Sequence, residues 1–296
     1  MSDLPPWVDG WCLRFLGGRP ATVLFGVSHL SEVWGVRLVD GREVVIKRRA
    51  DDSGRTARCG RAQRLLAERG FPCPLPLTDV ILDGGVATHA ERFVAGGERE
   101  LHETPAAAAR SAVLLADLVG HLSVLHLDPP LPNPEWVLWN AALPARHQVM
   151  TAPAWLEDTS LRVQAKLAAY ALSPVLGHAD WEAQNMVWQD GKPLAVHDWD
   201  SLAFLPEATI AGTAAGVFAT HDQPTLAPLE SSQAFLDAYE SARGSRFSPY
   251  ETEVAWAASI WVALHNARDE LIYDRPRLSY ARLEEQRFSR LSRARA

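Results

Sequence analysis

The sequence predicts an α+β protein in two unequal parts: a small antiparallel five-stranded sheet with one packed helix over residues 1–94, and a larger, mostly helical part over residues 95–296. Three observations predict it. β-rich runs separated by turn signals crowd into residues 20–94, and beyond the linker-like AGGERE (95–100) apolar residues recur at helical spacing. A composition of 47% hydrophobic and 22% charged residues over 296 positions is that of a globular chain able to bury a core without metal or disulfide staples.

The elements follow in order. ATVLFGV (21–27) and EVWGVRLV (32–39) are rich in β-branched and aromatic residues. Asp40-Gly41, a hairpin dipeptide because both turn positions need positive φ, joins the second run to a third strand, REVVIKRR (42–49). From Gly54 to Arg69 good helix formers dominate, and Gly70, Pro72 and Pro74 stop the helix. LTDVILD (77–83) and VATHAERFV (86–94) flank Gly84-Gly85 as a further hairpin, completing the order β-β-β-α-β-β. In the second part Leu114, Leu118, Leu122 and Leu125 mark one face of a long helix that ends at the proline-rich LDPPLPNPEW (127–136). A helix from about Leu156 to Leu172 comes next. Ser248-Pro249-Tyr250-Glu251 is a capping box with proline at the first helical position, and Tyr250, Val254, Ala257, Trp261 and Leu264 form the stripe of the helix it starts, up to Pro276. The basic end, RFSRLSRARA, matches no function and reads as a frayed helix end.

Charge and cysteine usage exclude several classes. The net charge of −7 divides into +2 over residues 1–94, −14 over 95–274 and +5 over 275–296. An acidic middle argues against nucleic acid as a partner and suits metal ions or a cationic small molecule, beside the solvated acidic surface that is the plainer account of it. Cys12, Cys59 and Cys73 are an odd set without a CxxC pair, unlike a secreted disulfide framework or a zinc finger. No apolar run reaches the ~20 residues of a membrane span, and MSDLPPWVDG has no signal-like core. A cytoplasmic monomer or homodimer without membrane contact is expected. Arginine outnumbers lysine 26 to 3, which singles out Lys47 on the third strand, facing the same way as Val45 and opposite to Ile46 and Arg48.

The densest polar constellation is HADWEAQN (178–185) followed by HDWD (197–200). His178, Asp180, Asn185, Asp198 and Asp200 border two short apolar runs, Met186–Trp188 and Leu194–Val196, which the turn Gln189-Asp190-Gly191 makes a hairpin. Its outer ends should then bring Asn185 and Asp198 side by side, a hard-oxygen pair suited to Mg²⁺, with Asp180 placed to act on a metal-bound group. Taken singly, each of these aspartates is also an ordinary turn or cap residue.

HADWEAQN resembles the catalytic loop of the aminoglycoside phosphotransferase family, a His-Gly-Asp with Asn five residues after the Asp, and HDWD resembles its metal-binding Asp segment. The Lys47 strand, LSVLHLDPP and FLDAYESARG are similar to that family in order and spacing, so the resemblance spans about residues 20–275. It implies a protein-kinase-like bilobal fold shared with choline kinases. It further implies ATP or GTP as co-substrate, Mg²⁺ held by Asn185 and Asp198, Asp180 as the residue that orients the acceptor hydroxyl and receives its proton, and Lys47 on the α and β phosphates. The loop between the first two strands, near Ser28 and Ser31, would cover the phosphates, and backbone groups of Arg92, Phe93 and Val94 would meet the purine edge at the hinge. The acceptor would be a small molecule, such as an aminoglycoside or another antibiotic, with Asp222, Asp269, Glu270 and Asp274 as candidate contacts for its amines. Trp136, Trp139 and Trp155 could cover a sugar or nucleoside face, or pack in the core, while Trp181, Trp188 and Trp199 should seal the catalytic motif.

Two positions depart from the pattern. Ala179 replaces the glycine of His-Gly-Asp, which needs only a negative φ. The helix after Lys47, where the family has a Glu paired with the lysine, carries Gly60 at that position, and Gln63 on the same face is the expected neutral substitute, hydrogen-bonding Lys47. Without a substitute, the chain would be a nucleotide-binding module with lost transfer. A metal-dependent phosphoesterase using the same carboxylates is a further alternative, against which Lys47 speaks.

Overall fold

The computed structural model describes residues 4–28, 31–100, 102–127, 131–137, 147, 151–169 and 173–296. Along them run α1 (Pro6–Leu16), β1 (Pro20–Ser28), β2 (Glu32–Leu38), β3 (Glu43–Ala50), α2 (Arg55–Glu68), β4 (Ile81–Asp83) and β5 (Val86–Arg92). Next come α3 (Pro105–Ser123), α4 (Ala154–Ala168), β6 (Val175–His178), β7 (Met186–Gln189), β8 (Lys192–Val196) and β9 (Leu202–Leu205). The chain closes with α5 (Glu207–Val217), α6 (Leu229–Arg243), α7 (Pro249–Ile272) and α8 (Leu278–Ala294). It packs as two units. One comprises 1–97, 125–132 and 189–200; the other comprises 98–124, 133–188 and 201–296. The first unit runs on from residue 94 to 97 and also takes in the HDWD segment (197–200), which the sequence-based division placed in the helical part.

In the first unit an antiparallel sheet of order β1-β2-β3-β5-β4 carries a helix on each face. Alternation decides which side chain meets which helix. Val44 and Ile46 of β3, with Trp34, Val36 and Leu38 of β2 and Ala90 of β5, bury against Val8, Cys12 and Leu16 of α1. Helix α1 is absent from the sequence-based reading, although Pro6 inside its start and Gly17 at φ 70° just past its end are terminus signals. Lys47 and its neighbours point to the α2 side. Asp51 fixes the start of α2, accepting the N–H groups of Arg55 and Thr56 at 3.1 and 2.7 Å. Against the cost of its burial, these bonds hold the Asp51 carboxyl below its usual range.

In the second unit α7 starts at the predicted capping box, Ser248 Oγ accepting from Glu251 N and Glu251 Oε2 from Ser248 N. Val254, Ala257, Trp261 and Leu264 of its stripe are buried, whereas Tyr250 is exposed. Helix α5 is buried all round, because Gly212 and Gly216 let the α7 backbone approach: a Cβ at either would lie 2.1–2.2 Å from the Ala255 or Ser259 carbonyl oxygen. The basic end is no frayed tail. It forms α8, whose Arg290 is fully buried and donates to Gln286, Ser259, Ser232 and the Ala227 carbonyl. Helix α4 ends at Ala168, and residues 170–172 of its expected span lie outside the described residues. Among the described residues no helix is long and apolar enough to cross a membrane.

Candidate active site

In the second unit, β6 pairs with β9 and delivers His178 to the head of the loop that holds Asp180. Ala179 keeps a negative φ, so its Cβ is accommodated, and its N–H donates to the Ser201 carbonyl at 2.9 Å. The loop is drawn closed by Asn185, whose Nδ2 donates to both the carbonyl and the carboxylate Oδ2 of Asp180, at 3.0 and 2.9 Å. This orients the Asp180 carboxylate and leaves Asn185 Oδ1, a hard oxygen, for a cation. Trp181 seals the loop from beneath: it is 1% exposed and donates to Ser111 Oγ at 2.9 Å.

In the first unit, a cleft beside β3 and α2 is lined by Lys47, Asp198, Ser31, Gln63 and His89, among others. Asp198 takes φ 61°, a left-handed conformation that Asp tolerates better than most residues. Trp199 behind it is buried, donates to the Val196 carbonyl and meets Phe71 edge-on. The segment is held from β3 and α2, as the Arg49 guanidinium pairs with the Asp200 carboxylate and Arg55 donates to the Asp200 carbonyl at 2.7 Å. Asn185 lies in the second unit and Asp198 in the first.

Lys47 has a carboxylate partner that sequence reading missed. Glu91 of β5, 1% exposed, places Oε1 at 2.9 Å from Lys47 Nζ. Gln63 does not bond Lys47. Its Nε2 donates to Glu91 Oε2 at 2.9 Å and to the Pro74 carbonyl at 2.7 Å. Burial would raise the Glu91 carboxyl, but Lys47 and Gln63 hold it below its ordinary value. The signal that could have found Glu91 is parity: Lys47 faces His89 across the β3–β5 pair, and Glu91 lies two residues on, on the same face.

The remaining sequence-based candidates divide. Ser31 lines both the Lys47 cleft and a neighbouring hollow that Ser28 shares with Arg48 and Val86, and residues 29–30 between the two serines lie outside the described residues. The N–H groups of Arg92 and Phe93 are donated to the Leu75 and Glu43 carbonyls, so of the three hinge residues only Val94 can offer its own. Glu270 is taken: both its oxygens accept N–H groups of the first turn of α8, from Ser279 at 2.7 Å and Tyr280 at 2.9 Å. That is a helix cap and not an amine site. Asp269 pairs with the buried His147 at 2.8 Å, Asp274 is exposed in a turn at φ 48°, and Asp222 is largely exposed beside His221. Trp155 packs on α8 through Tyr280 and Arg287, Trp136 is exposed, and Trp139 lies outside the described residues.

Comparison with known proteins follows the same lines. Residues 25–244 match the model of the phosphotransferase enzyme family. The comparison with curated proteins finds no match. Among solved structures, the amicoumacin kinase hAmiN, in complex with AMP-PNP, Ca²⁺ and Ami, is 13% identical, with 96% of this chain and 93% of that one covered and a TM-score of 0.67. An aminoglycoside phosphotransferase from Alicyclobacillus acidocaldarius is 14% identical, covering 100% and 96% with a TM-score of 0.60. A putative fructosamine-3-kinase from Thermobifida fusca is 18% identical, covering 98% and 99% with a TM-score of 0.59. At these identities the likeness is one of fold.

Proposed function

Because the chain belongs to the phosphotransferase enzyme family, we propose that it is an ATP-dependent kinase that phosphorylates a hydroxyl of a small, amine-bearing molecule. The observation that carries this reading is that Lys47 and Asp198, far apart in sequence, line one cleft. A cation for phosphate oxygens and a hard-oxygen donor for a divalent ion share one hollow. Phosphoryl transfer needs this kind of positioning and charge neutralisation more than covalent chemistry.

Lys47 contacts the α and β phosphates, backbone near Ser31 covers them, and the Val94 N–H meets the purine edge. Asp180, oriented by Asn185, takes the proton of the acceptor hydroxyl while the γ-phosphorus changes partners, its bond to the acceptor oxygen forming as its bond to ADP breaks. Asn185 Oδ1 and the Asp198 carboxylate are each donors of the kind that Mg²⁺ takes, since it accepts a few hard oxygens from protein and the rest from water and phosphate. When bound, the ion neutralises phosphate charge during transfer.

An amine-bearing acceptor is supported by the −14 balance of residues 95–274 and by the aminoglycoside phosphotransferase among the structural relatives. Aminoglycosides and other antibiotics are therefore the first acceptors to try, with resistance as the phenotype. The free thiols of Cys12, Cys59 and Cys73 support a reducing compartment such as the cytoplasm. The reading as a module without transfer rests on Gly60 leaving Lys47 unpaired, and Glu91 supplies the missing carboxylate.

The test combines Mg²⁺·ATP thermal shift with an acceptor panel read by mass spectrometry. Wild type is stabilised by ATP and adds one phosphate to an acceptor. Asp180→Asn keeps the ATP shift while turnover falls by roughly 10²- to 10⁴-fold. Unchanged turnover in that variant refutes the assignment of the base.

A further inference from the structure

A phosphate-contacting lysine is useful only when its ammonium is held in one place, which requires a carboxylate that is itself fixed. The helix position expected to supply one is Gly60, and a Cβ there would already meet Val80 Cγ2 at 3.2 Å, so a larger side chain has no room without displacing that valine. The partner comes from the sheet. β3 and β5 pair continuously from Val44↔Arg92 to Ala50↔Val86, with Lys47 opposite His89. Glu91 is the diagonal neighbour of Lys47 on the same face, within reach of a long side chain.

The surroundings of Glu91 are complete. One oxygen meets Lys47 Nζ at 2.9 Å, and the other accepts from Gln63 Nε2 at 2.9 Å. The second proton of that amide goes to the Pro74 carbonyl at 2.7 Å. Position 63 therefore needs two donors, which an amide has and a carboxylate lacks. A carboxylate only 1% exposed survives as an anion when it is paired and fully hydrogen-bonded, and here it is both.

We infer that Glu91 is the positioning residue for Lys47, with Gln63 as its clip, so that the lysine is anchored to the sheet and not to helix α2. This rests on Lys47 contacting nucleotide phosphates. It goes further by naming a residue outside the expected pattern and by removing α2 as the element whose position decides whether the lysine is paired.

The experiment measures binding of ATP and of adenosine, each with Mg²⁺, by calorimetry in wild type, Lys47→Ala, Glu91→Gln, Glu91→Asp and the double variant Lys47→Ala/Glu91→Gln. Adenosine reports an intact fold and base site; ATP adds the phosphates. Glu91→Gln should weaken ATP by about tenfold or more with adenosine unchanged. The substitution removes the charge that holds the ammonium, and the NH₂ of the new amide must face a donor, either Lys47 Nζ or the Gln63 amide. Glu91→Asp keeps the charge but withdraws it by about one methylene, so it should lose less, and it serves if Glu91→Gln folds poorly. In the double variant the loss should equal that of Lys47→Ala alone, since Glu91 acts through the lysine. ATP affinity unchanged in both Glu91 variants, or losses that simply add in the double variant, overturns the inference. Lys47→Ala binding ATP as wild type does would overturn the nucleotide reading itself, a separate result.

Discussion

His89 makes the lysine site sensitive to pH in a way that can be worked out. It lies opposite Lys47 in the β3–β5 pair, half-buried, and its buried Nδ1 has no hydrogen-bond partner. Burial disfavours the imidazolium, Lys47 repels it, Arg49 adds to the repulsion and Glu91 opposes it, so its pKa is pushed from 6.5 down to about 4. With the folded pKa below the unfolded one, the unfolded chain binds more protons in this window, and stability falls as pH falls. The contribution of neutral His89 is complete above the unfolded value and is lost progressively as pH falls toward the folded one. The total is about 3 kcal/mol, of which about 2 kcal/mol is gone by about pH 5. Urea unfolding of wild type and His89→Gln at about pH 8 and about pH 5 isolates the effect, since other titrating groups are common to both. Wild type should lose about 2 kcal/mol more than the variant between the two conditions. Equal losses would refute the reasoning and mean that His89 is hydrated or charged in the folded state.

Other perturbations have defined outcomes. Asp198→Ala should abolish the Mg²⁺ dependence of ATP-induced stabilisation, read by thermal shift with and without chelator, while adenosine binding persists. Glu270→Ala should lower stability by about 1–2 kcal/mol through loss of the α8 cap and leave acceptor KM unchanged; a raised KM would return Glu270 to the acceptor site. Gly216→Ala should cost about 3 kcal/mol or more by forcing α5 from α7, seen as a lower Tm. Arg290→Met should destabilise by about 3 kcal/mol, because the Ala227 carbonyl and the Ser232 and Gln286 oxygens lose their buried donor.

Much of the fold was legible because its signals are local. Asp40-Gly41 turns β2 into β3, although of the two only Gly41 takes a positive φ, 87°, Gly84 and Gly85 at φ 56° and 76° turn β4 into β5, and Ser248 with Glu251 caps α7. Each is decided by residues a few positions apart, where backbone sterics and single hydrogen bonds act. The loop of Asp180 and Asn185 is local too, five residues closed by one amide. Helix α1 was missed although its end signals are present, since a short stretch holding Gly10, two tryptophans and Val8 has weak intrinsic preference for helix and forms by packing on the sheet.

By itself the sequence determined the strands of the first sheet, helices α2, α3 and α7, the Met186–Val196 hairpin and the face of the third strand that carries Lys47, all of which follow from periodicity, turn residues and spacing; the roles of the HADWEAQN and HDWD segments came from a family resemblance. Only the tertiary structure decided what those groups meet. It inserted β5 between β3 and β4, so that Lys47 found Glu91; it packed HDWD with the N-terminal unit beside that lysine; and it turned Glu270 into a cap and Arg290 into a core residue. The physical reason is that a buried charge is stable only beside a partner, and for these residues the partner is distant in sequence and is brought near by sheet order and helix packing.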